Sequence, residues 1–190
     1  AVRSFCGDRQ DGLCNVFVPH ATAGVAIIET GAGSDHDLVD TLERRTDDPD
    51  VLDSHRNDHA TFCTAGAPRA LVRPGSTAEV QEVLRVASEF RVPVVTQGAR
   101  TGLSGAANAI DGCLLLSTSR MARILEVSVE DQVAVVQPGV VNASLSRAVL
   151  DKGLFYPPDP SSWEMSTIGG NIATNAGGLR HLRHGSMRAN

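Results

Sequence analysis

Aromatic residues are scarce in this chain: five Phe, one Tyr and one Trp make up 4% of its 190 residues. A buried core must therefore consist mainly of Val, Leu, Ile and Ala, for which an apolar share of 42% is sufficient. Lysine is almost absent, since Lys152 is the only one among 17 basic residues. The net charge of −5 argues against a nucleic-acid groove, and the length suits one domain or slightly more.

Cysteine pairs with the C-x-x-C spacing of metal or redox sites are missing as well. Cys6, Cys14, Cys63 and Cys113 match no zinc pattern, and we expect them to be small buried or half-buried thiols in a reducing compartment. No apolar run is long enough to span a bilayer, and we expect no signal peptide. We therefore expect no transmembrane segment and a cytoplasmic location, in which attachment to the inner face of the membrane stays open.

A metal site is not expected in the polar stretch of residues 46–66, which we predict to be a linker. His55, Asp58 and His59 are residue types that bind zinc, but no fourth ligand stands at a useful spacing. A polar run between periodic segments is usually a solvated loop.

The stretch from Val94 to Ala107 passes from β-branched residues into glycines, hydroxyls and small side chains. Glycine has no Cβ atom and lets a ligand approach the main chain, while successive N–H groups of such a loop form a nest for anions. Arg100 adds a positive charge in a planar fork that matches phosphate. The stretch indicates a cradle for the pyrophosphate of a nucleotide cofactor, but by itself it is equally compatible with a tight connection between a strand and a helix.

Two common phosphate-binding motifs are excluded for this stretch. Its glycines, Gly98, Gly102 and Gly105, are spaced G-x-x-x-G-x-x-G, whereas the dinucleotide fingerprint is G-x-G-x-x-G. A P-loop needs a lysine before Ser or Thr, and no lysine is present here.

A second stretch of the same character lies near the end of the sequence. Residues 156–162 are rich in Pro and Ser, which disfavours regular structure. Farther along, the pair Gly169-Gly170 suits a helix N-terminus pressed against a ligand, where free N–H groups favour an anion or a carbonyl. Two glycine-dense segments on one chain favour enclosure of one large ligand from two sides over a plain surface loop.

Regular elements are predicted between these stretches. Ser76 and Glu79 form a capping box, which starts a helix whose apolar face carries Val80, Val83, Leu84, Ala87 and Phe90. The other predicted elements are strands at 70–73, 92–95 and 113–117, a hairpin of 124–129 with 132–136, and a helix that starts with Asn142 as N-cap and ends near Gly153.

Residues 1 to about 45 resemble a fragment of the YjbQ-type family, which are small oligomeric β-rich proteins with thiamine-phosphate-synthase-like activity. The segment His20-Ala21-Thr22-Ala23 and the following Glu29 carry the likeness, which ends near Glu43. The resemblance implies that His20, Thr22 and Glu29 match residues of that family's site. Since most of the family's later sequence is not found here, a turn histidine without a catalytic role is the preferred interpretation of His20.

From about Asp47 to Asn190 the chain resembles the FAD-binding domain of the p-cresol methylhydroxylase/vanillyl-alcohol oxidase type. Within this type it is most similar to the glycolate oxidase/D-lactate dehydrogenase flavoprotein subunit. The resemblance implies an α+β fold with a small α/β subdomain and a mixed sheet over residues 67–190, incomplete at its C-terminus and preceded by a β-rich fragment. Five motifs carry it in the family's order: 68–74, 97–105, 137–140, 156–162 and 167–178.

The resemblance also implies FAD as the cofactor and assigns its contacts. In the family the first glycine loop wraps the pyrophosphate, and the later motifs line the flavin and ribityl side. The residues implied to bind FAD are Gly98, Ala99, Arg100, Thr101, Gly102 and Leu103 at the phosphates, Pro138 and Gly139, and Asp159, Ser162, Thr167, Gly169, Gly170, Asn171 and Gly178 toward the isoalloxazine.

The activity implied for a full-length parent is FAD-dependent oxidation of a 2-hydroxy acid of the glycolate or D-lactate type. The family's domain and its substrate domain continue beyond the point that matches Asn190, so we expect this chain alone to be inactive and assign no catalytic residue. Two alternatives stay open. One is a non-catalytic remnant or fusion protein, whose unfinished sheet edges favour self-association, and the other is thiamine phosphate synthesis by the N-terminal segment.

Overall fold

The computed structural model of the protein describes residues 45–190. The N-terminal β-rich fragment and the roles of His20, Thr22 and Glu29 lie outside the described residues. The described part is mixed α+β, with a four-stranded sheet, a two-stranded hairpin and short helices. No helix within residues 45–190 is long and apolar enough to cross a membrane.

The four-stranded sheet has the order β1-β2-β4-β3. Strand β4 pairs in parallel with β2 on one side and with β3 on the other, whereas β1 runs antiparallel to β2. Leu71 of β2 and Leu115 of β4 are neighbours in register and fully buried, as expected for apolar runs in the middle of a parallel sheet. The strands are β1 (Arg45–Thr46), β2 (Ala70–Val72), β3 (Val94–Gln97) and β4 (Leu114–Ser117).

Strand β3 begins two residues later than the sequence indicates. Val92 donates its N–H to Ala87 O and so belongs to the turn that closes the preceding helix. Pro93 has no N–H to give to a ladder, although its carbonyl accepts from Leu114 N. Because β3 lies at the edge of the sheet, pairing with another chain there stays a prediction.

The first two helices are α1 (Pro49–Ser54) and α2 (Thr77–Glu89). Helix α2 has the predicted cap, since Ser76 Oγ accepts from Glu79 N at 3.2 Å. The carboxylate of Glu79 accepts from Gly75 N at 2.9 Å, whereas the capping box predicts that it accepts from Ser76 N. The carboxylate thus tightens the turn one residue earlier.

The predicted linker at 46–66 contains regular structure and joins the core. Thr46 pairs with Leu71, and Val51 and Leu52 of α1 pack against the buried cluster formed by Leu71, Ala109, Cys113 and Leu115. The stretch is therefore packed along the sheet.

A second buried cluster contains the predicted hairpin, β5 (Ile124–Ser128) with β6 (Val133–Val136), and helix α3 (Asn142–Leu150). The N-cap of α3 is Val141, so the prediction of Asn142 as N-cap is wrong. The Asn142 side chain donates from Nδ2 to Pro158 O at 3.2 Å. The first N–H groups of α3, those of Asn142 and Ala143, donate to Ser166 O and Trp163 O, so a distant loop replaces a side-chain cap.

The chain ends with α4 (Ile168–Ala173), α5 (His181–His184) and a 3-10 turn (Met187–Ala189). Helix α4 begins next to the Gly169-Gly170 pair, which confirms the prediction of a helix start there. The Tyr156 hydroxyl lies 2.9 Å from Met187 Sδ and attaches the 3-10 turn to the second cluster.

Candidate functional site

The first glycine loop, residues 98–107, starts where β3 ends. Parallel strands bring their carboxyl ends to one edge of a sheet, and this edge is where α/β sheets bind ligands. Gln97 ends β3, and its carbonyl accepts from both Thr118 N at 3.0 Å and Thr118 Oγ1 at 3.3 Å, just beyond the end of β4. The ends of the two strands are thereby held together beneath the loop.

The two glycine-dense stretches meet in space. A Cβ atom placed on Gly98 would lie 2.3 Å from Thr167 Oγ1 and 3.8 Å from Gly170 Cα. A side chain at position 98 would therefore collide with the start of α4. Segments that are about 70 residues apart in sequence therefore contact each other here. That they enclose one ligand stays a prediction.

Residues 138–140 contribute a third side. A Cβ atom on Gly139 would lie 2.2 Å from Thr118 O, and one on Gly169 would lie 2.7 Å from Pro138 Cβ. Gly169 N donates to Pro138 O at 2.8 Å. These contacting segments together are called the glycine junction, which comprises residues 97–102, 118, 138–140 and 166–171.

The start of α4 differs from the predicted anion site in one respect. Its first two N–H groups, on Ile168 and Gly169, donate to Val140 O and Pro138 O, both at 2.8 Å. These two donors are engaged with main chain and are not available to a ligand.

Unpartnered polar atoms are concentrated in the glycine junction. Within residues 45–190, four buried side-chain atoms have no hydrogen-bond partner, and all four lie in this junction. Buried polar groups are normally paired, so such a concentration favours a binding site for a polar ligand. The four atoms are Gln97 Oε1, Ser166 Oγ, Thr167 Oγ1 and Asn171 Nδ2.

Arg100 has a left-handed backbone, with φ of 57°, in the middle of the first glycine loop. Its guanidinium donates from Nη1 to Ser54 O at the end of α1. Burial lowers the pKa of Arg100 below its ordinary value. The side chain thus holds the loop against α1. Its guanidinium carries the predicted positive charge and has further N–H groups that can donate hydrogen bonds.

His55 follows α1 and lies close to this arginine. Burial lowers the pKa of His55 below its ordinary value; a hydrogen bond with Val51 O opposes the shift, and the positive charges of Arg100 and Arg73 add to it. This shift favours the neutral form of the ring.

Asp159 and Gly178 form a second group. Asp159 Oδ1 accepts from Arg180 N at 3.0 Å, and Oδ2 lies 3.3 Å from Arg180 Nε. Gly178 has φ of +119°, and a Cβ atom there would lie 2.1 Å from Asp159 O. Asp159 therefore forms an ion pair with Arg180. This ion pair lies beside a cavity of about 330 Å³ that Phe155 and Trp163 also line.

The predicted site residues fall into three groups. Gly98, Pro138, Gly139, Thr167, Gly169, Gly170 and Asn171 come together in the glycine junction, where Ala99, Arg100, Thr101 and Gly102 continue the loop. Asp159 and Gly178 pair with each other. Leu103 is 68% exposed at the loop surface, and Ser162 accepts from Ser166 N through its carbonyl at 2.7 Å.

Sequence reasoning did not assign Gln97, Ser166 or Asp58 to the site. A polar residue at a strand end could have indicated Gln97, and the run of hydroxyls could have indicated Ser166. No local signal could have placed Asp58, which meets the loop 49 positions later at Ala107. Within residues 45–190 no group of three or more His, Cys, Asp or Glu side chains could hold a metal ion.

Two family models match the chain. Residues 68–190 match the FAD binding domain, and residues 1–96 match the UPF0047 protein YjbQ-like family. The second match extends beyond the limit near Glu43 that the motifs indicate, and it overlaps the first over residues 68–96.

Two curated relatives are similar to this chain. The glycolate oxidase subunit GlcD of Bacillus subtilis (strain 168) is 49% identical over 121 residues, which cover 64% of this chain and 26% of that protein. The D-2-hydroxyglutarate dehydrogenase of Stutzerimonas stutzeri (strain A1501) is 43% identical over 161 residues, which cover 82% of this chain and 34% of that protein. The chain thus spans about a quarter to a third of the length of these relatives.

Solved structures share the fold. Alkyldihydroxyacetonephosphate synthase superposes with a TM-score of 0.72 at 22% identity, over 84% of this chain and 33% of that one. Substrate-bound p-cresol methylhydroxylase gives a TM-score of 0.61 at 18% identity, over 75% of this chain and 30% of that one. These similarities confirm the predicted α+β fold of the p-cresol methylhydroxylase/vanillyl-alcohol oxidase type.

Proposed function

The chain belongs to the FAD binding domain family through residues 68–190 and to the YjbQ-like family through residues 1–96, and we propose that the first of these carries its function. It forms the cofactor-holding part of a flavin-dependent oxidoreductase whose substrate is a small 2-hydroxy acid. The substrate class rests on relatives named for glycolate and D-2-hydroxyglutarate. Bound FAD supplies the acceptor for the hydride of the substrate's C–H bond.

The glycine junction is suited to FAD. At Gly98, Gly139 and Gly169 the absence of a Cβ atom lets the three segments pack directly against one another. Main chain without side chains is also what a dinucleotide can approach with its polar groups. Thr167 Oγ1 and Asn171 Nδ2 are buried groups that lack a partner within the described chain. Filling their hydrogen-bonding capacity favours binding of a polar cofactor.

Different residues of the glycine junction bind different parts of FAD. The first glycine loop from Gly98 to Gly102 receives the pyrophosphate, with Arg100 beside it as a positive charge. Thr167 and Asn171, at the start of α4, offer buried polar atoms without a partner and orient the flavin end of the cofactor. The single observation that carries the proposal is the contact of Gly98 with Thr167, because it brings both motif groups to one site.

We expect the chain to bind FAD without oxidising a 2-hydroxy acid by itself. Taking the substrate's proton needs a general base within hydrogen-bond reach. Asp159 is paired with Arg180, and the carboxylate of Asp58 accepts from Ala60 N and Ala107 N. Neither carboxylate is free to act as that base.

FAD binding is tested by titrating the 190-residue chain with FAD, following flavin fluorescence and the thermal midpoint. Saturable binding and a rise of the midpoint are expected, because a ligand that binds the folded state stabilises it by mass action. Thr167→Ala should weaken binding, whereas the exposed Thr77→Ala on α2 should not. Absence of binding by the unaltered chain would overturn the proposal.

The expected inactivity is tested on the loaded chain under anaerobic conditions. Addition of glycolate, D-lactate or D-2-hydroxyglutarate should leave the visible flavin absorbance unchanged, since neither Asp58 nor Asp159 is free to act as the base. Bleaching by one of these acids would contradict the expected inactivity while supporting the substrate class.

A further inference from the structure

Residues 54–59 run along the first glycine loop and contact it at several positions. Ser54 O accepts from Arg100 Nη1, and His55 O accepts from Gln97 Nε2 at 2.8 Å. His59 N donates to Gly102 O at 3.0 Å. We call residues 54–59 the loop clamp; they lie outside the range that matches the FAD binding domain.

The clamp also reaches the far end of the loop, at Ala107 and Asn108. Gln97 Nε2 donates to Ala107 O at 2.8 Å, and Ala107 N approaches Asp58 Oδ2 at 3.5 Å. Asp58 N donates to Asn108 Oδ1 at 2.7 Å. Both main-chain groups of Ala107 are therefore held, and the loop is closed at its base.

Asp58 connects the loop clamp with the first glycine loop. The residue is almost fully buried, with 8% of its surface exposed. Oδ1 accepts from Ala60 N at 2.8 Å and stabilises the turn of the clamp, while Oδ2 faces the loop, 3.6 Å from the Cβ position of Gly102. Burial of a carboxylate costs free energy unless its oxygens accept hydrogen bonds. The contacts of this carboxylate with the clamp and the loop offset that cost.

We infer that Asp58 is a positioning residue for the cofactor: through the loop clamp it holds residues 98–107 in the shape that receives the pyrophosphate. The inference rests on the proposed function, since FAD is the ligand of the loop there. A glycine-rich loop loses much conformational entropy when it is ordered. A clamp that orders it beforehand removes that cost from binding.

The test compares Asp58→Asn with Asp53→Asn in the full chain. The amide of the first variant can still accept from Ala60 N, but its NH2 group then faces Ala107 N–H, so only the contact with the loop is lost. Asp53 is a matched control, because its exposed side chain pairs with Arg56 and does not contact the loop.

For Asp58→Asn we expect roughly tenfold weaker FAD binding. Without FAD, amide hydrogen exchange should become faster in residues 98–107 and stay unchanged in α3. A merely structural role would accelerate exchange in both places. Asp53→Asn should change neither FAD binding nor exchange.

Three results would overturn the positioning role: unchanged FAD affinity in Asp58→Asn, equal acceleration of exchange in the loop and in α3, or the same loss of affinity in Asp53→Asn. Each of these leaves the proposed function intact as long as the unaltered chain binds FAD. If the unaltered chain does not bind FAD, the proposed function fails and the cofactor role of Asp58 fails with it.

Discussion

Single glycines decide how closely the main chains approach each other in the site. At Gly98, Gly139 and Gly178 a Cβ atom would lie 2.3 Å or less from a neighbouring oxygen. Gly178 is restricted for a second reason, since its φ of +119° is rarely adopted by residues with a side chain. The sequence predicts close approach in these stretches, but not which residue lies opposite each glycine.

Gly98→Ala should destabilise the protein by about 1–3 kcal/mol, because the new methyl group collides with Thr167 Oγ1 in a packed interior. FAD binding should weaken as well. The measurements are the free energy of unfolding in urea and an FAD titration of the same samples.

The double variant Gly98→Ala/Thr167→Ala should recover part of the lost stability, because it removes the atom in the way. Gly153→Ala is the control: its φ of +75° is unfavourable for alanine, but no atom lies within 4 Å of the new methyl group. It should cost some stability and leave FAD binding unchanged. A stable Gly98→Ala that binds FAD normally would contradict the packing described here.

At the scale of elements, caps show where local sequence suffices and where it does not. Ser76 caps α2 as predicted, because the bond from Glu79 N is made within four residues. Asn142 is of a residue type that caps helices equally well, but it lies inside α3. Its side chain donates to Pro158 O instead of capping the helix. The N–H groups at the start of α3 find carbonyls of residues 163 and 166, which are distant partners that no local pattern reveals.

Ser76→Ala should reduce the free energy of unfolding by about 1 kcal/mol, because the N–H group of Glu79 loses its acceptor. Ser88→Ala, at an exposed position near the end of the same helix, should change it by less than about 0.5 kcal/mol. Urea unfolding followed by circular dichroism measures both. Equal values for the two variants would show that the cap of α2 adds nothing.

At the scale of the whole molecule, the site lies between two separate buried clusters. One contains Leu71 and Leu115 of the parallel sheet. The other contains Val140 and Ile168 beside the hairpin and α3. The glycine junction draws its loops from both, so its geometry depends on how the clusters are held together.

Alkaline pH should weaken the second cluster through Tyr156. Burial raises the pKa of Tyr156 from 10.0 to about 12. The folded state therefore retains the phenolic proton that the unfolded state releases first. The contribution of Tyr156 to stability is constant below pH 10 and is lost as the pH rises toward about 12.

The check is the free energy of unfolding between pH 9 and pH 12 (an approximate window set by these two pKa values) for the unaltered chain and for Tyr156→Phe. The phenylalanine variant should show a shallower decline over this window. Parallel curves for the two proteins would show that Tyr156 makes no contribution to the alkaline loss of stability.

The sequence by itself determined most element positions, because strand and helix periodicity and a serine cap act over a few residues. Its resemblance to a known family implied the α+β class and FAD as the cofactor. Only the tertiary structure decided that the polar stretch 46–66 packs along the sheet, that Val141 precedes α3, and that Asp58 reaches Ala107. These features depend on contacts between residues that are about 20 to 50 positions apart. Such contacts form only when the chain has folded, since their free energy comes from burial and hydrogen bonding between distant segments.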